Sequence, residues 1–143
     1  MKDAVVVDTD VVSYILKRDT RAQPYSQHLT GKIVVMSFMT LAELYRWAEE
    51  RNWGERRKQQ MEQYVRNFVV YGYNRDLCRT WAQVMASAKR KIRKLLCADG
   101  WIAATAILYD IPLVTHNRRD FEHVSGLRLI SEAPGEPSES GSQ

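Results

Sequence analysis

The chain has 143 residues and a formal net charge of +4; 45% of its residues are hydrophobic and 27% are charged. These values fit one ordinary globular domain that is large enough to bury a core. No apolar run approaches the roughly 20 residues that span a bilayer, and the first residues lack a signal-peptide pattern, so we expect a cytoplasmic protein without membrane segments. Cys78 and Cys97 are the only cysteines, and their spacing argues against a zinc site.

Charge is spread unevenly along the chain. Residues 132–143 hold three of the 17 acids and no Lys or Arg, so residues 1–131 carry 21 basic and 14 acidic side chains, a net charge of +7. A basic body attracts a polyanion such as RNA over long range. The stretch from Ala133 onward is rich in Pro, Gly, Ser and Glu and has no apolar anchor. We therefore predict one folded domain over residues 1–131 and a flexible acidic tail over residues 132–143.

Short apolar runs alternate with segments of helical periodicity. In chain order we predict a strand over 5–7, helices over 11–17 and 21–29, a strand over 33–36, helices over 41–51 and 55–67, a strand over 68–71, helices over 76–94 and 101–109, and strands over 113–115 and 127–130. This alternation predicts an α/β fold with three α/β/α layers and a mostly parallel central sheet.

Four acids fall close to the ends of these predicted strands or at the start of a predicted helix. Asp8 ends the first apolar run, Glu43 lies beyond the second, Asp99 opens a helical segment, and Asp120 follows the run at 113–115. The carboxyl ends of parallel strands share one edge, where ligands bind, so we expect these side chains to meet. Two carboxylates about 4 Å apart repel by roughly 4 kcal/mol at an effective dielectric near 20, so the group needs protons or a cation. Carboxylate oxygens suit Mg²⁺ or Mn²⁺, which indicates metal-assisted phosphodiester chemistry.

Each acid also has a structural alternative. Thr40 and Glu43 match a capping box, and Asp99 is placed to cap a helix that begins at Gly100. Asp8 lies at the start of a predicted helix, where the helix dipole favours negative charge. The shared sheet edge favours the functional interpretation, and the two roles are compatible in one side chain.

Four segments of the chain resemble the motifs of a known family. They are VVVDTD at 5–10, MTLAEL at 39–44, ADGWIAATA at 98–106 and LVTHNRRDF at 113–121. On these segments the chain resembles the PIN-domain nucleases, and most of all the VapC-type toxins of bacterial toxin–antitoxin pairs. The resemblance runs from about residue 4 to residue 131. Its second and third segments are the most specific, because an apolar run ending in Asp-Thr carries little information alone.

The resemblance implies a Mg²⁺- or Mn²⁺-dependent endoribonuclease on a three-layer α/β/α fold, often a homodimer and often restrained by a small antitoxin. Asp10 stands where the family commonly has Asn, and either Asn117 or Asp120 can supply the fourth ligand. An amide oxygen binds Mg²⁺ more weakly than a carboxylate, which favours Asp120. The implied site consists of Asp8, Glu43, Asp99 and Asp120 as metal ligands and catalytic groups, Thr9, Asp10 and Asn117 in support, and Arg118 and Arg119 as contacts to substrate.

Two other functions stay open from the sequence. Asp8-Thr9-Asp10 after an apolar strand also resembles the haloacid-dehalogenase-type phosphatases, in which the first Asp is the nucleophile. Their later Lys and paired-acid motifs are not evident here. In a third interpretation the acids are helix caps, and a basic face binds RNA or a protein without catalysis. His116 lies near the predicted site, and we expect it to be hydrogen-bonded or solvated rather than catalytic.

Overall fold

The computed structural model describes residues 3–134. One sheet contains five strands: β1 (Ala4–Val7), β2 (Ile33–Ser37), β3 (Val69–Tyr71), β4 (Leu113–Val114) and β5 (Leu129–Ile130). The helices are α1 (Thr9–Leu16), α2 (Ser26–Leu29), α3 (Phe38–Glu50), α4 (Glu55–Val65), α5 (Arg75–Arg90), α6 (Cys97–Leu108) and α7 (Arg118–Phe121), with a 3₁₀-helix at Thr20–Tyr25 before α2. The strand order is β3-β2-β1-β4-β5, and every pairing is parallel.

The central strand β1 explains the three layers. Val5, Val6 and Val7 are all buried, as expected for a strand covered on both faces. Because successive side chains of a strand point to opposite faces, Val5 and Val7 pack into one core with residues of α1, α3 and α4, while Val6 packs into another with residues of α5 and α6. The predicted three-layer α/β/α fold is confirmed, and the sheet is fully parallel.

Several helix boundaries differ from the prediction. The structure begins α3 at Phe38 rather than near residue 41, because the Ser37 hydroxyl caps the helix by accepting a hydrogen bond from Met39 N at 3.1 Å. The predicted capping box at Thr40 and Glu43 is therefore wrong. The helix predicted over 21–29 is instead a 3₁₀-helix followed by the short α2, and the helix predicted over 76–94 ends at Arg90.

Asp99 does not cap a helix that begins at Gly100. The structure starts α6 at Cys97, which places Asp99 in the first turn, and Leu96 precedes the helix without a side-chain cap. Both cysteines are exposed free thiols. Among residues 3–134, none of the helices is long and apolar enough to cross a membrane.

The predicted domain boundary at residue 131 falls inside an anchored stretch. Glu132 N donates to the Tyr25 hydroxyl at 3.0 Å, and the Glu132 carboxylate lies 2.7 Å from His28 Nε2. These bonds tie the first residue of the predicted tail to the 3₁₀-helix and to α2. The rest of the predicted flexible tail, residues 135–143, lies outside the described residues.

Candidate active site

The carboxyl edge of the parallel sheet brings the predicted acids toward one place. Asp8 directly follows β1, Glu43 lies within α3 beyond β2, Asp99 is in the first turn of α6, and Asp120 is in α7, beyond β4. Their charges act on one another: Asp120, Glu43 and Asp10 each raise the pKa of Asp99. We call Asp8, Asp10, Glu43, Asp99 and Asp120 the acid group.

Asp8 is the most buried member, with 4% of its surface exposed. Its Oδ1 accepts a hydrogen bond from Thr9 N and its Oδ2 accepts one from the Thr115 hydroxyl, each at 2.7 Å. Burial, followed by the charge of Asp10, raises the pKa of Asp8 well above its usual value, while the Thr115 hydrogen bond opposes that rise. Asp8 therefore caps α1 and is also held rigidly at the centre of the acid group.

Asp10 ties α1 to the segment after β4. One carboxylate oxygen accepts a hydrogen bond from Val11 N at 2.7 Å, and the other accepts one from His116 N at 3.0 Å. Burial raises the pKa of Asp10, and hydrogen bonds from Val11, the Asp8 carboxyl and His116 lower it. Burial thus raises the pKa values of both Asp8 and Asp10, so each side chain holds a proton more tightly than a free aspartate does when no cation neutralises it.

Thr9 holds Glu43, and Thr40 in turn contacts Thr9. The Thr9 hydroxyl donates to Glu43 Oε1 at 2.9 Å, and the Thr9 and Thr40 hydroxyls lie 3.0 Å apart. Both threonines are buried, whereas Glu43 is half-buried. The supporting position predicted for Thr9 thus has a definite geometry, because its backbone N–H orients Asp8 and its hydroxyl orients Glu43.

Asp99 is half-buried in the first turn of α6. Burial and then repulsion from Asp120, Glu43 and Asp10 raise its pKa from 3.8 to about 6. The next residue, Gly100, permits this position: a Cβ there would lie 2.5 Å from Met85 Sδ and 3.0 Å from Trp81 Nε1. In the third motif, Asp99 therefore supplies the charged side chain, and Gly100 allows α6 to approach α5 closely.

The fourth motif borders two hollows. Asp120 is exposed and lines a hollow of about 170 Å³ together with Lys94, Leu96 and Asp99. Asp120 also lines a second hollow of about 300 Å³, to which Asn117, Arg118 and Arg119 contribute. Both arginines are exposed, and Arg118 Nη2 donates to Ser131 O at 3.3 Å. Of Asn117 and Asp120, only Asp120 carries a charge, and that charge adds to the effect of burial in raising the pKa of Asp99.

The donor set fits a hard divalent cation in its chemistry. All five members of the acid group offer carboxylate oxygens, the ligands that Mg²⁺ and Mn²⁺ prefer, and a cation would relieve the repulsion that raises the pKa of Asp99. Within residues 3–134, no three His, Cys, Asp or Glu side chains are grouped closely enough to hold one ion as they stand. The acids thus act on one another through charge without forming a closed set of ligands.

One supporting residue, Thr115, is absent from the sequence prediction. Thr115 directly follows β4, as Asp8 follows β1, and pairing of these neighbouring strands puts the two side chains together. That shared position after adjacent strands is the signal that identifies Thr115. His116 is hydrogen-bonded, as expected, because its Nδ1 lies 2.6 Å from the Tyr25 hydroxyl. Lys94, at the end of the basic run over residues 89–94, lines the hollow beside Asp99.

Comparison with known proteins agrees with this fold. The chain is 30% identical over 125 residues to Ribonuclease VapC2 of Haemophilus influenzae, covering 86% of this chain and 93% of that protein. It is 28% identical over 123 residues to the tRNA(fMet)-specific endonuclease VapC of Shigella flexneri, with the same coverage. The structure of DNA-bound VapBC from Salmonella typhimurium superposes with a TM-score of 0.81 at 25% identity, covering 92% of this chain and 98% of that one. The family model of the PIN domain matches residues 5–127, and the chain therefore belongs to the PIN domain family.

Proposed function

We propose that this protein is an endoribonuclease that hydrolyses phosphodiester bonds in RNA with Mg²⁺ or Mn²⁺, and that it acts as the toxin of a type II toxin–antitoxin pair. The observation that carries the proposal is the acid group, gathered at the carboxyl edge of a PIN-domain sheet, in which three other acids raise the pKa of Asp99. The relatives named ribonuclease VapC2 and tRNA(fMet)-specific endonuclease VapC support RNA as the substrate.

In this proposal Asp8 and Asp99 hold the cation, and Glu43 and Asp120 complete its surroundings. When bound, the ion would lower the pKa of a water molecule and offset negative charge on the phosphate. The protein keeps these carboxylates in place: the Thr115 hydroxyl and Thr9 N fix Asp8. Arg118 and Arg119 are proposed to contact the RNA backbone, since both line the hollow beside Asp120.

The family of the chain argues against the phosphatase alternative, because the PIN domain model matches residues 5–127 and the later Lys and paired-acid motifs of the phosphatases are not evident. A phosphatase of that type would form a phosphoaspartate on Asp8. We therefore expect no phosphoaspartate at Asp8 after incubation with phosphomonoesters, and mass spectrometry of the intact protein would detect one.

The decisive experiment is cleavage of defined transfer and ribosomal RNA fragments by the purified chain. We expect cutting with Mg²⁺ or Mn²⁺, none with EDTA, and recovery when excess metal is restored. Asp8→Asn and Asp99→Asn should each abolish cutting while leaving the far-ultraviolet circular dichroism unchanged. Asp76→Asn is a matched control, because Asp76 is an exposed carboxylate on α5 that pairs with Arg79. Full activity in either acid-group variant contradicts the proposed mechanism.

We also propose a small antitoxin and a second copy of the chain as partners, in the cytoplasm. The likeness to a DNA-bound VapBC structure at 25% identity supports an antitoxin. Co-expression with the product of the adjacent reading frame, followed by affinity purification, tests it. Light scattering coupled to gel filtration tests the homodimer, which has twice the 16.6 kDa mass of one chain.

A further inference from the structure

The connection between α5 and α6 brings a lysine to the edge of the acid group. Lys94 and Leu96 line the hollow of about 170 Å³ that Asp99 and Asp120 close on the other side. We propose that Lys94 is a substrate-binding residue, which contacts a phosphate of the RNA strand next to the bond that is cut. This inference rests on the proposed nuclease function and names a residue that the four family motifs do not include.

The charge of Lys94 is available to a ligand. Lys94 is exposed and, within residues 3–134, it forms no hydrogen bond or ion pair. It shares the hollow with Asp99 and Asp120 without an ion pair to either carboxylate. At about 30 Å³ per water molecule, the hollow has room for roughly five or six waters, so an anionic group can enter beside the ammonium.

The start of the connection is fixed by a neighbouring lysine. Lys91 Nζ donates to His123 O at 2.9 Å and to Ser125 Oγ at 2.7 Å, which fastens the end of α5 to the loop after α7. Ile92 then turns the chain at φ 55°, a left-handed conformation that a β-branched residue rarely adopts. Lys94 thus projects from a held turn rather than from a fraying helix end, which reduces the entropy lost on binding.

Basic groups flank the acids on both sides. Asp120 separates the hollow of Lys94 from the second hollow, which Arg118 and Arg119 line. A single strand that crosses from one hollow to the other keeps its neighbouring phosphates beside cations while one phosphate lies over the acid group. Leu96, with 56% of its surface exposed, adds an apolar wall for a ribose or a base. This arrangement predicts that Lys94 contributes to substrate binding more than to the chemical step.

The test measures cleavage and binding separately. Lys94→Ala, Lys94→Arg and Lys89→Ala are compared with the unmodified chain in steady-state cleavage of a 12-nucleotide single-stranded RNA with Mg²⁺. Lys89 is the matched control, because it is an exposed lysine in the last turn of α5 that does not line the hollow. Binding of the same RNA is measured in the non-cleaving Asp8→Asn background, with EDTA, from 50 to 200 mM KCl.

We expect Lys94→Ala to raise KM about tenfold with kcat changed less than about twofold, because a charge-assisted hydrogen bond is lost from binding. The slope of log Kd against log salt should fall by about 0.7, the value for one phosphate contact on a single strand. Lys94→Arg should restore most of the affinity, Lys89→Ala should change KM and slope little, and the pH midpoint of kcat should stay in place.

Several results overturn the inference. Unchanged KM and slope in Lys94→Ala, or an equal loss in Lys89→Ala, would mean that diffuse charge rather than this position binds RNA. A shifted pH midpoint in Lys94→Ala would make Lys94 a counter-ion of the acids. If the unmodified chain cuts no RNA, the proposed function fails, yet the binding comparison still decides the role of Lys94. An Asp8→Asn chain that does not bind the RNA at all contradicts both the proposed function and the binding role of Lys94.

Discussion

Asp99→Asn should make the metal-free protein more stable at neutral pH. The folded state holds a proton on Asp99 with a pKa of about 6, compared with 3.8 for a free side chain. Because folding raises the pKa of Asp99, protonation of this side chain favours the folded state. This contribution to stability is complete at pH below 3.8 and is lost as the pH rises through 6. Above that range, the unmodified protein carries the cost of an ionised carboxylate among other acids, and Asn removes that cost.

The size of the effect follows from the two pKa values. Their difference corresponds to about 3 kcal/mol at pH above both. Asp99 is half-buried, so water and salt screen the repulsion, and we expect about half of that value. Loss of the favourable interaction between Asp99 and the first turn of α6 removes a further 0.3–1 kcal/mol or so. The net expectation is a gain of about 1 kcal/mol at pH 7.5 and almost none at pH 4.

Urea unfolding in EDTA, followed by tryptophan fluorescence at pH 4, 5, 6 and 7.5, measures this gain. With a slope of about 1–3 kcal/mol/M, the midpoint should rise by roughly 0.3–1 M at pH 7.5. Asp76→Asn serves as the control, since Asp76 is also in the first turn of a helix but is exposed, so its replacement should lower stability at pH 7.5 by roughly 0.3–1 kcal/mol rather than raise it. The reasoning would be refuted if Asp99→Asn made the protein less stable at pH 7.5. It would also be refuted if the difference in free energy of unfolding between the variant and the unmodified chain were the same at every pH.

Three further substitutions test the supporting contacts. Thr115→Val removes the hydrogen bond that lowers the pKa of Asp8, so the rising limb of the pH–cleavage profile should move to higher pH. An unchanged profile would mean that Thr115 does not lower the pKa of Asp8. Gly100→Ala places a Cβ 3.0 Å from Trp81 Nε1. The cost of overpacking, about 1–3 kcal/mol, should exceed the gain in helix propensity of up to about 1 kcal/mol. A variant that is more stable than the unmodified chain in thermal melts would contradict this. Tyr25→Phe deletes a buried hydroxyl that accepts from a backbone N–H at 3.0 Å, and denaturant unfolding should record a loss of about 1–3 kcal/mol rather than no change.

The layers and the edge of the sheet that carries the acids could be predicted because both follow from local patterns. Three consecutive buried valines in β1 identify a strand covered on both faces, and an acid directly after such a strand must lie at its carboxyl end. The start of α3 could not be predicted from periodicity, because the apolar stripe begins at Leu41, beyond the first turn. Ser37, the last residue of β2, is at once a strand residue and the cap, and no local pattern separates these roles.

The contacts that hold the acids depend on residues far apart in the chain. Thr9 meets Glu43 across 34 positions, and Thr115 meets Asp8 across 107. A threonine at a strand end has ordinary uses in turns and caps, so its residue type does not identify its partner. Only the register of β1 with β4, in which Val7 pairs with Val114, brings the two following residues together. The sequence therefore predicts which edge of the sheet carries the site, and the strand order determines which hydroxyl orients which carboxylate.

The same strand order explains why the acid group is costly when it is free of metal. Parallel pairing of β1 with β4 aligns the residues that follow them, so Asp8 comes to lie among Thr115 and the segment that leads to Asp120. Burial and neighbouring acids then raise the pKa values of Asp8, Asp10 and Asp99, and protons compensate where a cation is absent. Protons and a divalent ion must therefore compete for the same oxygens, and metal affinity should weaken as the pH falls toward 6. Since the acids do not form a closed set of ligands among residues 3–134, binding of a cation must also draw their carboxylates closer together.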